Sequence, residues 1–170
     1  DTIGVVGLGA GAIAAYAREG DRLMVKMRNP PGFWAWSPGT SLDWEMQLNT
    51  DIPLRLDIDS GASASILDLS DLQVTELDLD TGASSVELTL PARAGLTRAD
   101  IDAGVAAVKV TIPDGVAARI RTQGGLSAIN VNQSRFPSQG GGIYQSPDYA
   151  TAANRVELEI ESGVGAVDIL

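Results

Sequence analysis

A glycine turn recurs along this chain at nearly constant spacing, and that period constrains the fold more than any other feature. Asp57-Ile-Asp-Ser-Gly-Ala-Ser, Asp78-Leu-Asp-Thr-Gly-Ala-Ser and Asp100-Ile-Asp-Ala-Gly-Val-Ala are close copies. Arg121-Thr-Gln-Gly-Gly-Leu-Ser and Glu159-Ile-Glu-Ser-Gly-Val-Gly are weaker ones. The turn glycines Gly61, Gly82, Gly104 and Gly125 are 21, 22 and 21 residues apart, and Gly163 follows after 38.

Alternation flanks each glycine. Leu56 and Ile58, Leu77 and Leu79, Leu158 and Ile160 precede it; Val86, Leu88 and Leu90, then Val108, Val110 and Ile112, follow it. Successive side chains of a strand leave opposite faces, so period two marks half-buried strands. Each repeat therefore reads as strand, glycine turn, strand, and positive φ is the expected reason for glycine at the turn. A fixed period of this length implies an all-β domain of stacked short strands, β-solenoid or β-roll like, with equivalent positions in continuous columns. An antiparallel β-sandwich satisfies the same alternation, because equal spacing leaves strand direction open. The expected organisation is one domain over residues 1–170. An N-terminal coil and aromatic cap (1–53) precede regular coils (54–131), a long loop (132–154) and a last coil (155–170).

Composition removes several function classes. With 170 residues, 44% of them apolar, the chain can bury a core. It has no histidine and no cysteine. Disulfides, thiolate and imidazole metal sites, and Ser-His-Asp or Cys-His catalysis are thereby excluded. A net charge of −10 argues against a nucleic-acid partner, since phosphate binding needs clustered Lys and Arg. No run of 18 apolar residues is present to span a membrane. Asp1 is not a natural start, so a piece of a longer or processed chain is expected.

Near the N-terminus, Gly7, Gly9 and Ala12 fit the dinucleotide fingerprint G-x-G-x-x-G/A after an apolar run. That use needs a helix opening there and further strand–helix–strand units, which the sequence does not offer. The preferred reading is a degenerate first turn of the repeat at Gly9-Ala10-Gly11, with Leu23, Val25 and Met27 forming the next strand.

Two segments hold seven of the eight aromatic residues: Phe33, Trp34, Trp36 and Trp44, then Phe136, Tyr144 and Tyr149. Phe33, Trp34, Trp36, Tyr144 and Tyr149 are candidates for a partner surface. A plug for the open end of a solenoid is the competing role for the first group.

Aligning the repeats on their glycines produces two acidic columns. Asp57, Asp78, Asp100, Arg121 and Glu159 stand four positions before the glycine; Asp59, Asp80, Asp102, Gln123 and Glu161 stand two before. In a parallel stack the six aspartates share one face at strand spacing, about 4.8 Å. Carboxylates in such columns suit a basic partner or Ca²⁺, but a solvated face that blocks edge pairing is the preferred reading. Lys109, in the second strand with Glu87, Asn130 and Asp168, is expected to relieve part of that charge. Repetition accounts for these aspartates better than a unique glycosidase pair does. No catalytic, cofactor-binding or metal residue is assigned.

With these residues in view, the chain resembles the toast-rack family and its LiaF-like and adhesin-like relatives of the bacterial cell envelope. The resemblance rests on the Gly-Ala-Ser turns with Leu67-Asp-Leu-Ser, and on Trp44 with Leu48-Asn49 and Ile52-Pro53-Leu54. It extends to Gly125-Leu-Ser-Ala-Ile-Asn-Val, Arg135-Phe136, Tyr144 and Tyr149, and the Gly-Val-Gly-Ala-Val-Asp-Ile ending. It implies a β-solenoid-like domain in envelope stress sensing or scaffolding, with a membrane tether outside this chain and no catalytic residues to carry over. The expected function is a non-enzymatic interaction or scaffold domain with a protein partner at the envelope. A cation- or carbohydrate-binding module using the aspartates is the second reading.

Overall fold

The chain's computed structural model describes residues 4–8, 13–19, 22–28, 44–61 and 64–170. All regular structure among them is strand, and no helix of the described residues is long and apolar enough to cross a membrane. The chain divides into two compact units, Asp1–Asn49 and Thr50–Leu170.

The first unit holds β1 (Gly4–Leu8), β2 (Ile13–Glu19), β3 (Arg22–Arg28) and β4 (Trp44–Leu48). β1 pairs antiparallel with β4, and β2 antiparallel with β3, where Tyr16 stands across from Val25. Leu23, Val25 and Met27 do form a strand, but it closes a hairpin rather than a coil of the stack. Alternation is the same in both arrangements, so the period could not distinguish them. Residues 13–19 are extended where a dinucleotide fingerprint requires a helix, which rules out that use of Gly7 and Ala12.

The second unit carries the repeats: β5 (Pro53–Ser60), β6 (Ala64–Asp68), β7 (Gln73–Thr89), β8 (Leu96–Thr111), β9 (Ala117–Val131), β10 (Ser138–Gly140), β11 (Ile143–Gln145) and β12 (Arg155–Ile169). β7 is 17 residues long, about 56 Å if straight. Only residues 90–95 lead to β8, whose start lies beside the start of β7. So short a link reaches about 20 Å, so β7 must double back at Gly82. Each long strand is thus two arms around a glycine corner, and β5 with β6 forms one such coil.

Burial follows this geometry. In β8, Thr97, Ala99, Ile101 and Ala103 point inward; Gly104 and Val105 are both exposed; then Ala106, Val108 and Val110 point inward. The two consecutive outward residues shift the phase by one, so both arms face the same core. The coils pair parallel and in register, and apolar columns such as Val86–Val108–Val167 run through the stack. These side chains are fully buried. A parallel stack is therefore the correct alternative, not an antiparallel sandwich.

Glycine occupies the corner because the coils approach closely. A Cβ on Gly82 would sit 2.9 Å from the Gly61 carbonyl oxygen, and one on Gly163 would sit 2.7 Å from that of Gly104. The Gly61 carbonyl also accepts the Ala83 N–H at 3.0 Å, which fixes it against the corner. None of the five turn glycines has positive φ. The expected left-handed turn is corrected accordingly: at Gly82, Gly104, Gly125 and Gly163 ladder spacing, not backbone handedness, excludes a side chain.

The stack is not in sequence order. Its coils run β5/β6, β7, β8, β12, β9, with β12 parallel to both β8 and β9. The segment expected to be a long loop, 132–154, makes this crossover and contributes β10 and β11. β11 pairs antiparallel with the first arm of β9, placing Tyr144 beside Ile120.

Candidate functional site

The outward face of the first arm carries three columns of polar side chains. In stack order the outermost reads Arg55, Glu76, Arg98, Glu157, Arg119. Charge alternates at every step. Arg55 pairs with Glu76 at 3.3 Å, and the Arg98 Nε donates to the Glu157 carboxylate at 3.0 Å. Arg55, Glu76 and Arg98 are well exposed and Glu157 is 39% exposed, so each pair contributes at most about 1 kcal/mol.

The next two columns do not alternate. One reads Asp57, Asp78, Asp100, Glu159, Arg121; the other reads Asp59, Asp80, Asp102, Glu161, Gln123. The structure brings all six sequence-predicted aspartates together and adds Glu159 and Glu161 beside Asp100 and Asp102. At the β9 end of the stack, Arg121 approaches Glu159 at 3.7 Å, and the Gln123 amide donates to Glu159 at 3.3 Å. Asp100, in the middle, is pushed above the usual carboxylate range, first by desolvation and then by Glu159, Asp78 and Asp102. Lys109 does not serve this face. It stands on the second arm, in register with Glu87 and Asp168, and Asp168 accepts from the Asn130 amide at 3.0 Å.

These side chains project in parallel from a sheet and do not converge. Among the described residues, no group of three or more acidic side chains is placed to hold one metal ion. A shallow depression is lined by Thr50, Asp51, Asp71, Leu72, Gln73 and Arg93. Arg93 and Asp71 approach at 3.7 Å, with both side chains about four-fifths exposed. Such open geometry does not withdraw charge from water as a catalytic cleft does.

The aromatic candidates separate. Tyr144 lies on β11 and is half-buried. Tyr149 is only 7% exposed and is corrected from surface to structural residue. Its hydroxyl donates to Glu157 at 2.9 Å, and the Arg119 guanidinium stacks 4.8 Å from its ring centre. Burial, together with the Glu157 charge, raises its phenol pKa. Phe136 is fully buried, with Arg135 over its ring. Phe33, Trp34 and Trp36 lie outside the described residues.

Sequence reasoning missed the neighbours of Asp100, although a signal existed. Six positions before each glycine, the chain order gives Arg55, Glu76, Arg98, Arg119, Glu157. Exchanging the last two coils restores alternation, and that exchange is what the fold contains.

Comparison with known proteins agrees with this architecture. A candidate cell adhesion protein from Clostridium sporogenes ATCC 15579, solved by crystallography, superposes with a TM-score of 0.79 at 25% identity. The match covers 93% of this chain and 75% of that one. No curated protein matches significantly. The sequence model for the N-terminal domain of toast_rack, DUF2154, matches residues 11–111, well over half of the chain. By this match and the stacked all-β fold, the chain belongs to the toast-rack family.

Proposed function

We propose that this chain is a non-enzymatic scaffold domain of a bacterial cell-envelope protein, and that the acidic columns of the first arm receive a basic protein partner. Family membership and the similarity to a candidate adhesion protein support the envelope setting. The partner surface rests on one observation. The column of Arg55, Glu76, Arg98, Glu157 and Arg119 alternates in charge, while the two columns beside it place carboxylate against carboxylate. Like charges directly across a ladder are destabilising. The first column illustrates a neutralised solution on the same strands; the other two keep a cost that a cationic partner relieves.

The test is titration of the full chain with a lysine-rich peptide at two salt concentrations. Binding is expected to weaken steeply with salt. The quadruple variant Asp78→Asn, Asp80→Asn, Asp100→Asn, Asp102→Asn should lose it while keeping its strand content. Equal binding by the variant would overturn the assignment.

A further inference from the structure

We propose a second interaction surface: the outer edge of residues 126–131, in the second arm of β9, accepts an extended peptide strand from a partner protein. This edge belongs to a different arm from the acidic columns, so either surface can fail without the other.

A ladder account locates the edge. On its inner side β9 pairs with β12 along its whole length. On its outer side, β11 covers Arg119, Ile120 and Arg121. The Thr122 N–H donates to the Gly142 carbonyl at 2.8 Å, and Ala118 exchanges hydrogen bonds with Ser146. Past Gly125, no described residue pairs with the outer side. The Asn132 N–H donates inward, to Ile169 on β12, at 2.9 Å. Backbone groups alternate sides along a strand. Ser127, Ile129 and Val131 therefore aim three N–H and three C=O groups away from the stack.

The side chains tell the same story. Ile129 and Val131 continue the core columns of Val167 and Ile169. Val167 and Ile169 are fully buried, whereas Ile129 and Val131 are only half-buried, because among the described residues of this unit no further coil covers them. On the first arm, Ala118 and Ile120 are fully buried beneath the crossover segment. Leu126 is 84% exposed. Edges are ordinarily guarded by charge, proline or a covering element. The β5 edge carries Arg55, Asp57 and Asp59, and the first arm of β9 is covered by β11; residues 126–131 contain neither charge nor proline.

The occupant follows from the surroundings. β11 and β10 extend the first-arm sheet two strands beyond β9, about 10 Å. The net charge of −10 opposes pairing of this edge with a second copy. A single extended segment fits beside the projection, as β11 already does on the other arm. Its chemistry is main-chain pairing plus apolar residues at alternate positions, to cover Ile129 and Val131.

Amide hydrogen exchange on the full chain comes first. Ser127, Ile129 and Val131 should exchange far faster than Ala128, Asn130 and Asn132. Equal protection of both sets would mean the edge is already covered, and protection that grows with protein concentration would assign it to a second copy; either overturns the proposal. The probe is a blocked heptapeptide copying residues 164–170, followed by NMR on the labelled chain. Shifts should concentrate at residues 126–131 and persist at high salt. Two further peptides are N-methylated at alternate residues, one in each phase. Strand addition uses one edge of the peptide, so one phase should abolish binding and the other retain it. Equal binding by both, or no shift at millimolar peptide, would sink the proposal.

Discussion

Glu159 lies directly across the ladder from Asp100, in a parallel pairing that exists only because β12 enters the stack between β8 and β9. The repulsive neighbours of Asp100 are therefore Asp78 on one side and Glu159 on the other. In chain order, Arg121 would have held the second place.

The raised pKa of Asp100 gives a pH dependence. A carboxyl raised in the folded state adds stability below its unfolded value and loses it as pH rises through its folded value. Stability should therefore fall as pH climbs just above the ordinary carboxylate range. Asp100→Asn should raise Tm by about 1–2 °C at pH 7, from a few tenths of a kcal/mol of cross-strand repulsion. The gain should disappear near pH 3. Calorimetry of both proteins across this window checks the sign; a lower Tm for the variant at pH 7 would refute it.

The corner glycines should differ in tolerance. Gly163→Ala forces a Cβ against the Gly104 backbone and should cost about 1–3 kcal/mol. Gly61→Ala meets nothing within 4 Å and should stay within about 0.5 kcal/mol. Urea denaturation of the two variants measures the contrast. Similar losses at both would return the explanation to backbone conformation.

Tyr149 should behave as a core residue. Tyr149→Phe removes the hydroxyl donated to Glu157 and should cost about 1 kcal/mol, or about 2–4 °C in Tm. Binding to the lysine-rich peptide should not change. An unchanged Tm with weakened binding would restore this ring to the partner surface.

Millimolar Ca²⁺ should raise Tm no more than NaCl of equal ionic strength. A ligand specific to the folded state stabilises by mass action, and Ca²⁺ needs six to eight converging oxygens. Parallel columns do not offer that convergence. A Ca²⁺-specific rise of several degrees would reinstate the cation reading.

The repeat made the coils, the core columns and the six-aspartate face legible, because period and burial are local consequences of strand geometry. Coil order was not legible from apolar residues. Leu158 and Ile160 fit equally well beside Ala99 and Ile101 or beside the β9 arm, since every coil offers the same apolar edge. The signs at Arg98, Arg119 and Glu157 favour the observed order, while Arg121 and Asp100 favour the other. β10 and β11 have three residues each, too few for alternation to register. The burial of Tyr149 depends on Arg119 and Glu157, which come together only after the crossover.

The interleaved order also constrains how the molecule assembles. Once β9 has been made, nothing in its hydrophobic pattern prevents it from settling on β8, and Arg121 beside Asp100 would even favour that mistake. The native arrangement needs the slot to stay open, or to reopen, until residues 155–169 arrive. β9 can therefore complete its native ladder only with residues 155–169, which supply its whole inner partner strand.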